Sequence, residues 1–189
     1  MDINQRILTS ARQLVAERGY RGWTMDELSS KAHISKRTLY RYYSSKEELI
    51  TAVVDGFLAD IGSKVEELMA AQVAPQQIVR TMLSELITRG RFAIATHSLE
   101  DLRQVYPHLW ERIDRFRMGK IKTLVEYFIK NNEDSLAANL DPRIISAAVT
   151  ASIQAVINPT FILDNNLTFE EAGQQLIRFL LASFAITLE

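Results

Sequence analysis

The stretch Thr24 to Leu49, TMDELSSKAHISKRTLYRYYSSKEEL, constrains the fold more than any other part of the chain. Thr24 with Glu27, and Ser45 with Glu48, are two Ser/Thr-x-x-Glu pairs. In such a pair the hydroxyl and the carboxylate each take a backbone N–H that a helix start leaves unpaired, so helices are predicted to begin near residues 25 and 46. Ser35 can cap a third, short helix over residues 36–43, with His33-Ile34 as the tight turn before it. The spacing predicts helix, short turn, helix.

Side chains four apart share a helix face, so Leu39 and Tyr43 lie together, as do Leu28 and Ala32 on the preceding helix. These faces must pack on each other. Steps of 100° per residue then put Arg37 and Arg41 opposite the Leu39/Tyr43 side, with Lys36 and Tyr40 on one flank and Thr38 and Tyr42 on the other. The outward side is all hydrogen-bond donors and aromatic rings, which suits a nucleic acid and not a core. A helix-turn-helix inserts the first part of its second helix into the major groove, where a guanidinium spans guanine O6 and N7.

The run Ile34-Ser-Lys-Arg-Thr-Leu-Tyr-Arg-Tyr-Tyr-Ser-Ser-Lys-Glu-Glu-Leu49, preceded by Gly19-Tyr20 and Thr24, resembles the TetR family of bacterial transcription regulators over about the first fifty residues. The resemblance implies DNA contacts from Thr38, Tyr40, Tyr42 and Lys46, with Thr24 and Ser35 on the phosphate backbone. Lys36, Arg37 and Arg41 join them on the geometric reading above. Two positions depart from the family pattern. His33 stands where glycine is usual, and Arg37 where a small residue is frequent. Histidine tolerates left-handed backbone angles better than most side chains, and Arg37 changes which base is read.

A net charge of −1 at first argues against a nucleic-acid binder. The first fifty residues, however, hold nine Arg/Lys against six Asp/Glu, or +3, leaving −4 for the rest. A basic surface on an acidic body is what phosphate attraction requires. With 47% hydrophobic residues in 189, a real core is expected. The absence of cysteine excludes disulfides, Cys-containing zinc fingers and Cys nucleophiles. No segment reaches the ~18 uninterrupted apolar residues of a membrane span, and the amphipathic first stretch is unlike a signal peptide; a cytoplasmic protein is expected.

Along the rest of the chain, Ile3, Ile7, Ala11, Leu14 and Val15 mark one face of a first helix ending at Gly19. Trp23 could stack on a base, but it reads more simply as a packing anchor just outside a capped helix. From Lys46 a long helix with Leu49, Ile50, Val53, Val54, Phe57, Leu58 and Ile61 on one stripe leaves the module without a flexible linker. Pro75, Pro107 and Asp141-Pro142 open further helices, and Thr168 with Glu171 starts the last. The fold class is therefore all-α, with about nine helices: a helix-turn-helix domain over residues 1–45 and a helical effector-binding and dimerisation domain over 46–189.

Two sets of body residues attract attention. Phe92, Tyr106, Trp110, Ile113, Phe116, Arg117 and Tyr127 gather aromatics with one cation, suiting either plain core or an apolar effector pocket with an anionic anchor. Ala147, Ala148, Ala151, Ser152 and Ala155 form a small-residue surface, and the last helix is apolar nearly all round near Leu176, Leu180 and Phe184. The resemblance implies that these two helices pair with their copies in a homodimer; filling the protomer core is the alternative. His97, Asp101 and His108 are three weak candidate metal ligands, for which a solvated ion pair is the simpler reading. No glycine-rich phosphate loop, Gly-x-Ser-x-Gly elbow or His-Glu-x-x-His is present, so no cofactor or catalytic residue is assigned. The expected partners are an operator duplex, a small-molecule effector and a second copy. The competing readings are a DNA binder controlled by a protein partner or by no ligand, and a helical small-molecule enzyme.

Overall fold

The computed structural model describes residues 2–89, 98, 101, 102, 104–130 and 140–183. Among them are nine α-helices and no strand: α1 Ile3–Arg18, α2 Met25–Lys31, α3 Lys36–Tyr42, α4 Lys46–Ala70, α5 Pro75–Arg89, α6 Pro107–Lys130, α7 Pro142–Val156, α8 Pro159–Asp164 and α9 Phe169–Ser183. The all-α expectation holds, and the prolines open helices where the sequence places them. Phe92, His97 and Phe184 lie outside the described residues.

The helix starts follow from their caps. Thr24 forms a complete capping box: its hydroxyl accepts the Glu27 N–H at 3.2 Å while the Glu27 carboxylate accepts the Thr24 N–H at 2.7 Å. Thr168 and Glu171 repeat it at 2.8 and 3.1 Å. The Ser45 box is only half as expected. Its hydroxyl accepts the Glu48 N–H at 3.1 Å, but the Glu48 carboxylate reaches back one residue further, to the N–H and hydroxyl of Ser44.

Three helix ends share one turn. After α2, α4 and α8 the chain passes through His33, Gln72 and Asn166, each with φ near +53° or +54°. The following N–H bonds five residues back in every case: Ile34 to Ser29, Val73 to Leu68, Leu167 to Ile162. These are Schellman ends with a non-glycine residue at the left-handed position and an apolar residue after it. At the end of α1 the corresponding freedom comes from Gly19, with φ 73°, and at Gly22 a side chain would meet the Arg18 carbonyl oxygen at 2.3 Å.

Contacts divide the chain into two compact units, Met1–Asp60 with Thr88–Ile113, and Ile61–Ile87 with Asp114–Glu189. In the first, α1 packs on α2 and α2 on α3. Ile7, Ala11, Val15, Tyr20, Leu28, Leu39, Leu49, Ile50 and Val53 are fully buried there. Each large aliphatic among them contributes about 1.5–3 kcal/mol by leaving water. In the second unit Val65, Ile78 and Met82 form one cluster with Leu124 and Tyr127, and Val125, Ile145 and Val149 form another with Phe128, Ile153 and Leu180. That second cluster corrects part of the sequence reading. Leu176 is buried and Leu180 packs on Val125, Ile145 and Val149, so both serve the protomer's own core. The large apolar side chain that α9 leaves in water among the described residues is Phe179, at 61% exposure.

Candidate nucleic-acid interface

Ser35 starts α3: its side-chain oxygen accepts the Thr38 N–H at 3.0 Å and lies 2.8 Å from the Thr38 hydroxyl. Leu39 is fully buried and Tyr43 nearly so, its hydroxyl donating to Asn4 Oδ1 of α1 at 2.7 Å. The opposite side of the helix is therefore turned out. Arg37, Tyr40 and Arg41 are exposed, and Thr38 and Tyr42 are half-buried on its flanks. Among the module's described residues Tyr40 is the large hydrophobic side chain left exposed, at 49%. A half-exposed ring on the side that carries two guanidiniums presents a face on which a partner can stack.

Lys36 and Lys46 differ from the picture of free cations. Lys36 Nζ lies 2.5 Å from an Asp26 carboxylate oxygen, both side chains being more than half exposed. Lys46 turns inward: its ammonium donates to the carbonyl oxygens of Trp23 at 2.5 Å and Arg21 at 3.2 Å, and sits 4.0 Å from the Trp23 ring centre. Burial draws its pKa below the ordinary lysine value, while the carboxylates of Asp101 and Glu27 pull the other way. Lys46 thus fixes the peptide carrying Thr24, whereas the α3 residues share one exposed face. Trp23 is the expected anchor, buried with its indole N–H donating to Gly19 O at 3.1 Å.

Sequence reasoning missed Asn4, Arg6 and Asp26, which act on the module across tertiary contacts. No local signal marks Asn4 or Arg6. Asp26, ten residues before Lys36, is findable only once the two helices are known to pack.

The two carboxyl groups that cap α2 and α4 make the module sensitive to acid. Hydrogen bonds from the Thr24 backbone and hydroxyl, then Arg18, hold Glu27 below its ordinary 4.5, and the Ser44 hydroxyl and N–H do the same for Glu48. An acid whose pKa is lowered on folding stabilises fully above its unfolded value and stops doing so as pH falls through the folded one. The melting temperature is expected to drop as pH falls below about 4.5, and Glu27→Gln with Glu48→Gln to flatten that drop in a calorimetric pH series. An unchanged slope in the double variant would contradict it.

Tyr106 packs edge-on to Tyr20, with ring centres 6.0 Å apart. Trp110 and Ile113 are half-buried. Phe116 lies against α4 at Gly62, Tyr127 donates its hydroxyl to Val73 O at 3.1 Å, and Arg117 is committed to Asp114 and the Ile157 carbonyl. Of the metal candidates, Asp101 accepts the Arg21 N–H at 3.0 Å and His108 lies 3.3 Å from Glu47.

Residues 7–53 match the family model described as bacterial regulatory proteins, tetR family. Over nearly its whole length the chain is similar to the uncharacterized HTH-type transcriptional regulator YvaF of Bacillus subtilis, 25% identical over 176 residues, which is 93% of this chain and 92% of YvaF. Over 93 residues it is 34% identical to the HTH-type transcriptional repressor KstR2 of Rhodococcus jostii, covering 49% of this chain and 44% of that one. Its fold is that of a TetR transcription regulator from Haloarcula marismortui, with a TM-score of 0.70 at 15% identity, covering 100% of this chain and 99% of that one.

Proposed function

We propose that the chain is a transcriptional regulator of the TetR family, a homodimeric repressor that holds an inverted-repeat operator through the outward face of α3. The observation that carries this is the division of α3 into a buried side, Leu39 with Tyr43, and an exposed side, Arg37, Tyr40 and Arg41. Those three, with Lys36, Thr38 and Tyr42, are the proposed contacts in the groove; Thr24 and Ser35 offer hydroxyls to phosphates beside it. Lys46 supports Thr24 rather than reaching out on its own. Repression is the proposed direction of control because a bound dimer blocks polymerase without touching it, and because KstR2 is a repressor.

The proposed dimer surface is the outer side of α7 together with α9. Ile144, Ala148, Ala151 and Ala155 recur at steps of four, three and four, all exposed, Ile144 at 65%. Steps of that kind keep them on one stripe, turned away from the buried Ile145 and Val149. Small residues on such a stripe let a second helix come close, and Phe179 supplies a large apolar side chain to cover. Ser152, whose hydroxyl donates to the Ala148 carbonyl, borders the stripe.

Ala151→Glu would place an unpaired ion in that contact. Sedimentation at micromolar concentration is expected to show a dimer for the unmodified protein and a monomer for the variant. Operator affinity should fall by about 10²-fold as the second half-site is lost. Leu180→Glu, by contrast, should unfold the second unit. A monomeric unmodified protein overturns the proposal.

Release by a small apolar or amphipathic effector completes the reading. Such a ligand must prefer the released state, with a usual coupling of about 1–3 kcal/mol, and operator must weaken ligand by the same factor. Equal ligand affinity with and without operator would assign control to something other than the ligand.

A further inference from the structure

Arg6 is the one guanidinium among the described residues that grips the turn of the helix-turn-helix. From the second turn of α1 its Nη2 donates to the carbonyl oxygens of Ala32 at 2.6 Å and His33 at 2.8 Å. The Schellman turn at the end of α2 satisfies Leu28, Ser29 and Ser30 by the N–H groups of Ala32, Ile34 and His33. It leaves the carbonyls of Ala32 and His33 to Arg6, and a cation there also suits the negative end of the α2 dipole. The grip falls where the chain needs it. His33 has φ 53°, a left-handed conformation that a side-chain-bearing residue adopts at a cost and glycine adopts freely. Gln72 and Asn166 make the same kind of turn, and neither of those turns aims a recognition helix.

We propose that Arg6 is a positioning residue for DNA recognition: it holds His33 left-handed and so fixes the direction in which α3 leaves α2. This assigns to Arg6 neither a base nor a phosphate. Asn4, accepting from the Tyr43 hydroxyl, fixes the far end of α3 from the same helix, so one end of α1 determines both ends of the recognition helix. A histidine at the turn is tolerated because Arg6 is there, and a glycine at 33 should make Arg6 dispensable.

The test is the pair R6Q and H33G, alone and combined, in the full chain. Its operator readout rests on the function proposed above; its exchange readout does not. In R6Q the Ile34 amide, bonded to the Ser29 carbonyl, should exchange about tenfold faster, and operator affinity should fall about tenfold with the dependence on salt concentration unchanged. H33G alone should stay near the unmodified protein in both. R6Q/H33G should recover Ile34 protection and most of the operator affinity. Should R6Q fail to fold, the double variant still decides, because it is expected to fold and bind. Two results overturn the proposal: a double variant no better than R6Q, or R6Q with normal Ile34 protection and a shallower salt dependence, which would make Arg6 a phosphate contact. Recovery of Ile34 protection in a protein that binds no operator would support the turn and count against the repressor.

Discussion

Leu39→Ala is expected to abolish operator binding without touching a single candidate DNA contact. Leu39 is fully buried on the inner side of α3, in the module where α2 packs on α3. Truncating a buried leucine to alanine removes its transfer free energy and leaves a cavity, together about 2–5 kcal/mol. That is a large share of the ~5–15 kcal/mol by which a whole domain is stable. The side chain is also what keeps α3 seated, so the helix should detach before the rest of the chain unfolds. Hydrogen exchange should show lost protection over residues 36–43 with the second unit near normal, and binding to any duplex should fail. Tyr40→Ala, on the opposite side, should leave protection intact while weakening binding. Operator affinity within threefold of normal for Leu39→Ala would contradict this packing.

The parts legible in the sequence are those where a side chain meets backbone a few residues away. Thr24 with Glu27, Ser35 with Thr38, Thr168 with Glu171, and the prolines at 107 and 142 are all local, so the helix starts could be read from spacing. The division of α3 into inner and outer sides followed from its seven-residue length and one leucine. Local signals fail where geometry is tertiary or nearly degenerate. Glu48 takes the N–H and hydroxyl of Ser44, one residue before the expected Ser45, and spacing does not separate the two. Lys46 reads as a surface cation, yet the indole and two carbonyls across the module draw it in. On α9, apolar residues on nearly every side leave the buried face ambiguous; only packing against Val125, Ile145 and Val149 assigns Leu180 to the core and leaves Phe179 outside. Ile144, in contrast, stood in plain view. It shares the stripe of Ala148, Ala151 and Ala155 by spacing alone.

Arg37 is the position at which the account is most exposed to test. It stands second in α3, exposed, on the side opposite Leu39, where the first turn of a recognition helix meets base edges. A guanidinium there matches guanine O6 and N7 with two parallel hydrogen bonds, and losing such a pair costs about 1–3 kcal/mol against the right base and little against the wrong one. Arg37→Ala should therefore change what is read and not merely how tightly. A phosphate contact behaves differently: its loss weakens all sequences alike and reduces the salt slope by about 0.9.

Selection of bound duplexes from random-sequence DNA, run in parallel on the unmodified protein and on Arg37→Ala, measures this directly. The unmodified chain should enrich an inverted repeat whose half-sites are about one helical turn apart or a larger separation, with a guanine fixed at one position in each arm. The variant should enrich the same repeat with that one position relaxed in both arms. A selection that yields no repeat, or two indistinguishable profiles, would contradict the claim that this chain reads DNA through the outward face of α3.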